Sequence, residues 1–195
     1  MNKAVFLDRD GTINEDVNYL TSKEELIIFP GVKEALTRLK DLGFLNLVIT
    51  NQSGIARGYL SEEDLAEIHK DIDRVLNIDG KPLIDDYFYS PYHVDGVVPE
   101  YSKHSEDRKP GTGMIDKAVK KYDIDVKESF LIGDALVDMK SAENAGLTKI
   151  LVKSGYGTKT REECINEGIT INYYAEDLDD ASIYIQKLDR KISKF

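Results

Sequence analysis

Hydrophobic and polar positions follow two regular patterns along the chain, one typical of strands and one typical of helices. Continuous apolar or β-rich runs predict buried strands at residues 4–7, 44–49, 86–89, 130–133 and 149–152. Apolar residues at every third or fourth position predict helices after Pro30 and after Ser61, and further helices over 114–122, 137–145, 161–167 and 178–188.

The alternation of strands and helices predicts an α/β fold. We expect a three-layer, Rossmann-like structure, in which helices cover both faces of a mostly parallel sheet. One domain over residues 1–195 is expected, because no linker, repeat or low-complexity segment interrupts the pattern. Parallel sheets bind ligands at the carboxyl ends of their strands. The residues predicted to lie at that edge include Asp8, Thr50, Ser90 and Asp134.

Composition and charge argue against two classes of partner, nucleic acids and membranes. The 195-residue chain has a net charge of −10 and would repel nucleic acid phosphates, so we expect no nucleic-acid partner. No apolar stretch approaches the roughly 18 residues that a membrane helix needs, so no membrane partner is expected. The single cysteine, Cys164, cannot form an internal disulfide, which favours a reducing compartment. We therefore expect a cytoplasmic location, and we also expect a monomer. Any anionic ligand would need a locally positive pocket.

Two acidic segments follow predicted strands. In the segment 8–12, DRDGT, Asp8 and Asp10 would repel each other by about 4 kcal/mol at an effective dielectric of 20, unless a divalent cation lay between them or one of them were protonated. Hard oxygen ligands of this kind suit Mg²⁺. In the segment 133–138, Asp134 could complete that site, and Asp138 could position Lys109 or the waters on the metal. Alternatively, the first segment is an ordinary turn and Asp138 faces solvent near a helix start.

Two further segments carry groups that bind phosphate. The segment 50–54, TNQSG, offers hydroxyls, amides and backbone N–H groups, which hold phosphate oxygens without adding charge. Arg108 and Lys109 precede a predicted helix and could supply a bidentate guanidinium and an ammonium. Taken singly, these segments are also compatible with a polar loop and a solvated basic pair.

The four segments together resemble the signature of the haloacid dehalogenase phosphatase superfamily, which combines DxDxT, a later Ser or Thr, a Lys, and GDxxxD. The runs FLDRDGTIN, TNQSGIARG, RKPGTGM and GDALVDMKSAENAG are similar to those of the D-glycero-D-manno-heptose 1,7-bisphosphate phosphatases, near relatives of the histidinol-phosphate phosphatases. The resemblance covers roughly the first 155 residues. The short spacings between motifs leave little room for a large cap domain.

The resemblance implies a two-step hydrolysis through an aspartyl-phosphate. Asp8 would attack phosphorus, and Asp10 would protonate the leaving oxygen and then activate water. By the same resemblance, Thr50 and Lys109 would bind the phosphoryl oxygens. Asp8, Asp134 and the Asp10 carbonyl would bind Mg²⁺. Thr12 and Asp138 would hold these groups in place. A carboxylate at position 10 fits a hydrolase, because the superfamily's ATPase pumps have threonine there and accumulate the phosphoenzyme.

The resemblance also implies a substrate side of the site, lined by Asp16, Tyr19, Asn51, Ser53, Arg57 and Arg108. Arg57 and Arg108 could bind a distal phosphate, which favours a small sugar bisphosphate that loses its C7 phosphate, as in surface glycan or lipopolysaccharide synthesis. Arg57 could instead be a surface residue on a mobile loop.

The long loop predicted for 91–108 departs from the family pattern. Many of these phosphatases hold a structural zinc with C-x-H and C-x-C ahead of the Arg-Lys pair, where this chain has Ser90, Tyr92, Ser105 and Asp107. This set lacks thiolates, so we expect no structural zinc. An alternative metal site would use the nearby histidines, His93 and His104, with Asp107.

Other functions stay open from the sequence. Within enzymes, histidinol phosphate or another small phosphorylated metabolite is the alternative substrate, whereas a phosphosugar mutase would need a cap. A non-catalytic phospho-receiver module also pairs acids and a lysine on a parallel sheet, but its phosphorylated aspartate ends a middle strand. A polynucleotide phosphatase is disfavoured by the net charge of −10.

Overall fold

A computed structural model describes residues 1–192 and has a parallel sheet at its centre. The sheet is six-stranded, with the order β5-β2-β1-β6-β7-β8. Its strands are β1 (Lys3–Leu7), β2 (Phe44–Asn51), β5 (Asp86–Ser90), β6 (Phe130–Gly133), β7 (Thr148–Val152) and β8 (Tyr173–Ala175). All of their pairings are parallel. A small antiparallel hairpin comprises β3 (Asn77–Ile78) and β4 (Lys81–Pro82).

Helices connect the strands at the places that the apolar spacing predicts. They are α1 (Val32–Asp41), α2 (Glu62–Val75), α3 (Gly113–Tyr122), α4 (Leu136–Ala145), α5 (Gly157–Glu167) and α6 (Leu178–Ile192). Short 3₁₀ turns lie at Lys23–Glu25 and Val126–Glu128. No helix in the described part of the chain is long and apolar enough to cross a membrane.

Local sequence signals set the ends of these helices. Before α2, the Ser61 hydroxyl accepts a bond from the Asp64 backbone N–H at 3.1 Å, and the Asp64 carboxylate accepts one from the Ser61 N–H at 2.8 Å. This reciprocal capping, which the sequence predicts, is worth about 1 kcal/mol. After α1, Gly43 adopts a φ of 81°, a left-handed conformation that glycine reaches without strain.

The core has two layers, one on each face of the sheet, as the predicted α/β fold requires. Alternate residues of β1 serve the two layers: Val5 and Leu7 point into one, Ala4 and Phe6 into the other. The first layer includes apolar residues of α1, α2 and α6, and the second includes apolar residues of α3 and α4 together with Cys164 of α5. The prediction of a parallel sheet covered on both faces is confirmed.

The topology determines where a ligand can bind. From β1 the chain moves to β2 on one side and later returns to β6 on the other side, so the strand order reverses at β1. A crevice forms at the carboxyl end of the sheet at such a reversal. No large cap covers this edge within residues 1–192, because the insertions after β1 and β2 consist of loops, a 3₁₀ turn, α2 and the hairpin.

Candidate active site

The crevice at the carboxyl ends of β1, β2 and β6 is a cavity of about 290 Å³. Leu7 pairs in register with Val48 and with Ile132, so the residues that follow these three positions emerge at the same edge. Most of the predicted site residues line the cavity: Asp8, Asp10, Asp16, Thr50, Asn51, Arg108, Lys109 and Asp134. Asn18, Ala135, Val137 and Tyr156 also line it.

Lys109 is the central cation of this site. Its Nζ donates to Asp8 Oδ1 at 2.7 Å and to the Ile49 carbonyl at 2.9 Å, and it lies 2.6 Å from Asp138 Oδ1. Burial alone would lower the pKa of Lys109, but the charges of Asp138 and Asp8 raise it well above its ordinary value. The side chain is therefore a permanent ammonium held between two carboxylates. The sequence predicts that Asp138 positions Lys109 or the waters on the metal, and the structure places the Asp138 carboxylate 2.6 Å from the Lys109 amine.

Asn51 fixes the backbone that carries this lysine. Its side-chain oxygen accepts a bond from the Lys109 N–H at 3.0 Å, and its amide nitrogen donates to the Lys109 carbonyl at 3.2 Å. The pairing links the end of β2 to the start of the segment leading to α3. Asn51 thus lines the cavity, as predicted for a substrate-binding residue, while its amide group holds the lysine.

Three buried carboxylates form a compact acidic cluster. Asp8, Asp134 and Asp138 each offer a ligand atom within 4.8 Å of the others. Burial, followed by the charge of Asp138, raises the pKa of Asp8 well above its ordinary value, against the lowering effect of Lys109. Burial and then Asp138 raise the pKa of Asp134 to about 7. Mutual repulsion of this kind is relieved by a divalent cation, and the oxygen donors suit one. The carboxylate of Asp10 is not part of the cluster.

Two glycines allow loops to close over Asp134. Gly11 has a φ of 83° and Gly155 a φ of 57°, and a Cβ on either would lie 2.3 or 2.1 Å from Asp134 Oδ2. The adjacent Tyr156 backbone N–H donates to the same oxygen at 2.8 Å. Side chains at positions 11 and 155 would therefore displace this carboxylate. Sequence reasoning missed Gly155 and Tyr156, although the glycines in the run SGYG after β7 were a visible signal.

Asp10 lies in a different environment from Asp8. Its carboxylate accepts bonds from Arg9 Nη2 at 2.8 Å, from Asn14 Nδ2 at 2.9 Å and from Gln52 Nε2 at 2.9 Å. Burial raises the pKa of Asp10, but the Arg9 guanidinium and these hydrogen bonds outweigh it and lower the pKa overall. Arg9, Asn14 and Gln52 were not predicted as site residues. The nearby Thr12 hydroxyl is buried without a hydrogen-bond partner.

Two arginines lie on the predicted substrate side: Arg108 lines the 290 Å³ cavity, whereas Arg57 does not line it but is near enough to repel Arg108. Arg108 is half-buried, its Nη1 donates to the Tyr92 carbonyl at 3.3 Å, and burial followed by repulsion from Arg57 lowers its pKa. The Nε of Arg57 is buried without a hydrogen-bond partner. Burial, then Arg108 and Arg57, lower the pKa of His93. A second cavity of about 300 Å³, lined in part by His93, Lys103 and Arg108, adjoins this cationic group.

The remaining predicted substrate residues differ in position. The charge of the nearby Asp16 carboxylate raises the pKa of Tyr156, and this carboxylate accepts a bond from the Asn18 N–H at 2.8 Å. Tyr19 packs edge-on against Tyr59 with ring centroids 4.7 Å apart. Neither Tyr19 nor Ser53 lines the 290 Å³ cavity.

The loop positions that the resemblance aligns with a zinc site are Ser90, Tyr92, Ser105 and Asp107, and they carry no thiolate. The Ser90 hydroxyl is buried without a hydrogen-bond partner, the Ser105 hydroxyl accepts a bond from the Asp107 N–H at 3.2 Å, and Asp107 pairs with Lys117 at 2.6 Å. Hydroxyls and one paired carboxylate are poor replacements for thiolates. Within residues 1–192, the acidic cluster is the group of at least three His, Cys, Asp or Glu close enough to share an ion. The alternative His–His–Asp site is therefore not assembled.

The fold and this arrangement of side chains define the class of protein, a haloacid dehalogenase-like hydrolase built on a parallel sheet with helices on both faces. Residues 107–181 match the family model described as HAD-hydrolase-like. The D-glycero-β-D-manno-heptose-1,7-bisphosphate 7-phosphatase of Haemophilus ducreyi is 42% identical over 154 residues, which cover 78% of this chain and 84% of the relative. The D-glycero-D-manno-heptose-1,7-bisphosphate 7-phosphatase of Thermosynechococcus vestitus is 36% identical over 178 residues, covering 90% and 91%.

A solved structure shows the same likeness. The D,D-heptose 1,7-bisphosphate phosphatase from B. bronchiseptica, crystallised with magnesium and phosphate, has a TM-score of 0.84 and 31% sequence identity. The alignment covers 95% of this chain and 99% of that one. The chain therefore belongs to the family of haloacid dehalogenase-like hydrolases that includes the heptose bisphosphate phosphatases.

Proposed function

We propose that this protein is a Mg²⁺-dependent phosphatase that removes the C7 phosphate from D-glycero-D-manno-heptose 1,7-bisphosphate. The observation that supports it most is the buried Asp8–Lys109 pair, 2.7 Å apart, beside the acidic cluster in a crevice at the sheet edge. The substrate is inferred from the 42% identity to a relative that bears this activity in its name.

Asp8 is the proposed nucleophile. It attacks phosphorus in line, and the bond from phosphorus to the leaving oxygen breaks to give an aspartyl-phosphate. Lys109 favours the ionised, nucleophilic form of Asp8, while Thr50 and Lys109 bind the phosphoryl oxygens. When bound by Asp8, Asp134 and the Asp10 carbonyl, Mg²⁺ would supply positive charge that reduces repulsion between Asp8 and the incoming phosphate.

Asp10 is the proposed acid and base. It donates a proton to the leaving oxygen, then accepts one from the water that attacks the phosphorus of the aspartyl-phosphate. Inorganic phosphate leaves and the Asp8 carboxylate is regenerated. The lowered pKa keeps Asp10 ionised in the free protein, so its carboxylate is available to accept a proton in the base step. For the acid step, the negative charge of a bound phosphate opposes ionisation of Asp10 and favours uptake of the proton.

Arg57 and Arg108 are the proposed ligands of the second phosphate. Arg57 is close enough to Arg108 to lower its pKa by repulsion. Placing two positive charges this close raises the free energy of the protein without substrate. A phosphate dianion relieves that repulsion and is well matched to guanidinium geometry. A bisphosphate is therefore favoured over a monophosphate such as histidinol phosphate. We expect Arg108→Ala to raise KM for the bisphosphate about tenfold and to change KM for a monophosphate little.

Phosphate release from a substrate panel tests this function. The panel contains both anomers of heptose 1,7-bisphosphate, fructose 1,6-bisphosphate and histidinol phosphate, each with Mg²⁺ and with EDTA. We expect the highest kcat/KM for a heptose bisphosphate, loss of activity in EDTA, and no activity for Asp8→Asn. Asp41→Asn, which removes an exposed carboxylate of α1, is the matched control and should retain full activity.

Two outcomes would contradict the proposal. Retained turnover by purified Asp8→Asn protein would exclude the assigned nucleophile. Higher kcat/KM for histidinol phosphate than for every bisphosphate would exclude the substrate. Phosphorylation of the protein without turnover would instead support the receiver alternative.

A further inference from the structure

The side-chain amide of Gln52 is buried and donates hydrogen bonds to two proposed catalytic side chains. Gln52 lies directly after β2 and is 6% exposed. Its Nε2 donates to Asp10 Oδ2 at 2.9 Å and to Thr50 Oγ1 at 2.8 Å. Its backbone is also fixed, because its N–H donates to the Ser90 carbonyl at 2.8 Å. An amide NH₂ group has two hydrogens, so these two bonds use both of them.

The charge of Asp10 determines which way the Gln52 amide faces. The opposite orientation would direct the Gln52 oxygen at an ionised carboxylate and leave the buried contact repulsive. With the nitrogen toward both partners, the Thr50 oxygen acts as an acceptor for Gln52. The single hydrogen of the Thr50 hydroxyl is then available to donate into the cavity that Thr50 lines.

Gln52 also differs from the other groups that hold Asp10. Arg9 and Asn14 belong to the same turn as Asp10, so their bonds fix the carboxylate only relative to that turn. Gln52 comes from the end of β2, the strand that carries Thr50. Its two bonds therefore set the distance between the carboxylate of one segment and the hydroxyl of another.

We propose that Gln52 is a positioning residue that aligns the acid–base carboxylate of Asp10 with the phosphoryl-binding hydroxyl of Thr50, an inference that rests on the proposed function. The leaving oxygen is bonded to the phosphorus whose other oxygens Thr50 holds. Proton transfer requires Asp10 to lie within hydrogen-bond reach of that oxygen. A group bonded to both residues fixes this geometry before substrate arrives.

The dependence on the leaving group tests this inference. A sugar alkoxide needs a proton as it leaves, whereas p-nitrophenolate does not, so misplacing Asp10 affects sugar phosphates selectively. Gln52→Leu removes both donors, and Gln52→Glu keeps the shape but replaces the donors with a charge that repels Asp10. We expect either change to lower kcat/KM for the sugar bisphosphate about tenfold more than for p-nitrophenyl phosphate. Asp10→Asn, which removes the proton donor itself, should show the largest difference between the losses in kcat/KM for the two esters.

A second measurement reports on Thr50. Inorganic phosphate as a competitive inhibitor contacts Thr50 without any leaving group, so we expect its inhibition constant to rise about fivefold in Gln52→Leu. Gln186→Glu, on α6 and away from the crevice, adds the same charge and should behave as wild type in both assays. Melting temperatures identify any variant that is not folded, and the Gln52 variant that does fold carries the test.

The outcomes separate this inference from the proposed function. Equal losses on both esters, or no loss, would overturn the role of Gln52 toward Asp10, and an unchanged inhibition constant would overturn its role toward Thr50. If wild type releases no phosphate from any ester, the proposed function fails instead.

Discussion

Lys109 gives the most demanding prediction about stability. Its ammonium is 2% exposed at the side chain and is shared between Asp8 at 2.7 Å and Asp138 at 2.6 Å. Lys109→Met keeps most of the side-chain volume and removes the charge. Two buried carboxylates then lose their cation and remain close to each other and to a third, Asp134.

The expected cost follows from this burial. Removing one partner of a buried ion pair costs about 3–5 kcal/mol, because an uncompensated charge stays in a poorly solvated position. The carboxylates will partly recover by taking up protons, so we expect the lower half of that range, about 3–4 kcal/mol. For a chain of this size, 1 kcal/mol corresponds to about 2–4 °C, so the melting temperature should fall by about 6–16 °C.

The assay is urea unfolding of wild type and variant in EDTA, repeated with Mg²⁺. Mg²⁺ should restore part of the lost stability, because it would supply positive charge to Asp8, one of the two carboxylates that lose the ammonium. Lys117→Met is the matched control: Lys117 pairs with Asp107 at a similar 2.6 Å, but its side chain is 61% exposed. An exposed pair contributes at most about 1 kcal/mol, so this control should lose little.

A double variant separates charge from packing. In Lys109→Met/Asp138→Asn one of the unpaired carboxylates is neutral, so the double variant should be more stable than Lys109→Met alone. If Lys109→Met lies within about 1 kcal/mol of wild type, or the second change destabilises further, the electrostatic reasoning is wrong.

Three further predictions follow from the site and its surroundings. In a phosphate-release assay, Asp8→Asn should be inactive and Asp10→Asn should be about 10²- to 10⁴-fold slower than wild type. Measurable turnover by Asp8→Asn would contradict the mechanism. Gly155→Ala should lower kcat about 100-fold, because the new Cβ meets a carboxylate of the acidic cluster at 2.1 Å. Gly168→Ala, also left-handed but with nothing within 4 Å, should leave kcat unchanged, and equal effects would refute the steric reasoning. Burial and then a nearby arginine lower the pKa of His69 to about 3. Above about pH 6.5, the pKa of His69 in the unfolded chain, His69 is neutral in both states and does not lower the free energy of unfolding. Below that pH the unfolded chain takes up a proton that the folded protein does not, so the free energy of unfolding falls, by about 2 kcal/mol at pH 5. In urea unfolding at several pH values, the free energy of unfolding of His69→Gln should depend less on pH than that of wild type. The same dependence in both proteins would contradict this prediction.

The sequence predicts the sheet and the crevice well, because both depend on local patterns. Apolar runs and helical spacing identify the five longer strands of the sheet and its helices, and the residues after those strands meet at one edge because the strands are parallel. The edge strand β8, Tyr173–Ala175, was missed because three residues are too few to show a period. The β3–β4 hairpin is shorter still.

The contacts that complete the site depend on tertiary structure. The carboxylate of Asp10 is held by Arg9 and Asn14 nearby, but also by Gln52, 42 positions away. The run TNQSG predicts a phosphate-binding loop and does not specify which amide faces inward. Similarly, Tyr156 contacts Asp134 because β7 and β6 are neighbours, and no spacing rule in the sequence gives that closure.

In the proposed mechanism, phosphate becomes attached to Asp8. A crystal structure of the protein with Mg²⁺ and trifluoroberyllate, a stable mimic of a bound phosphoryl group, measures this directly. We expect beryllium on a carboxylate oxygen of Asp8, Mg²⁺ in contact with Asp8 and Asp134, and fluorine atoms held by Lys109 and Thr50. Beryllium on another residue, or Mg²⁺ bound away from Asp8 and Asp134, would contradict it.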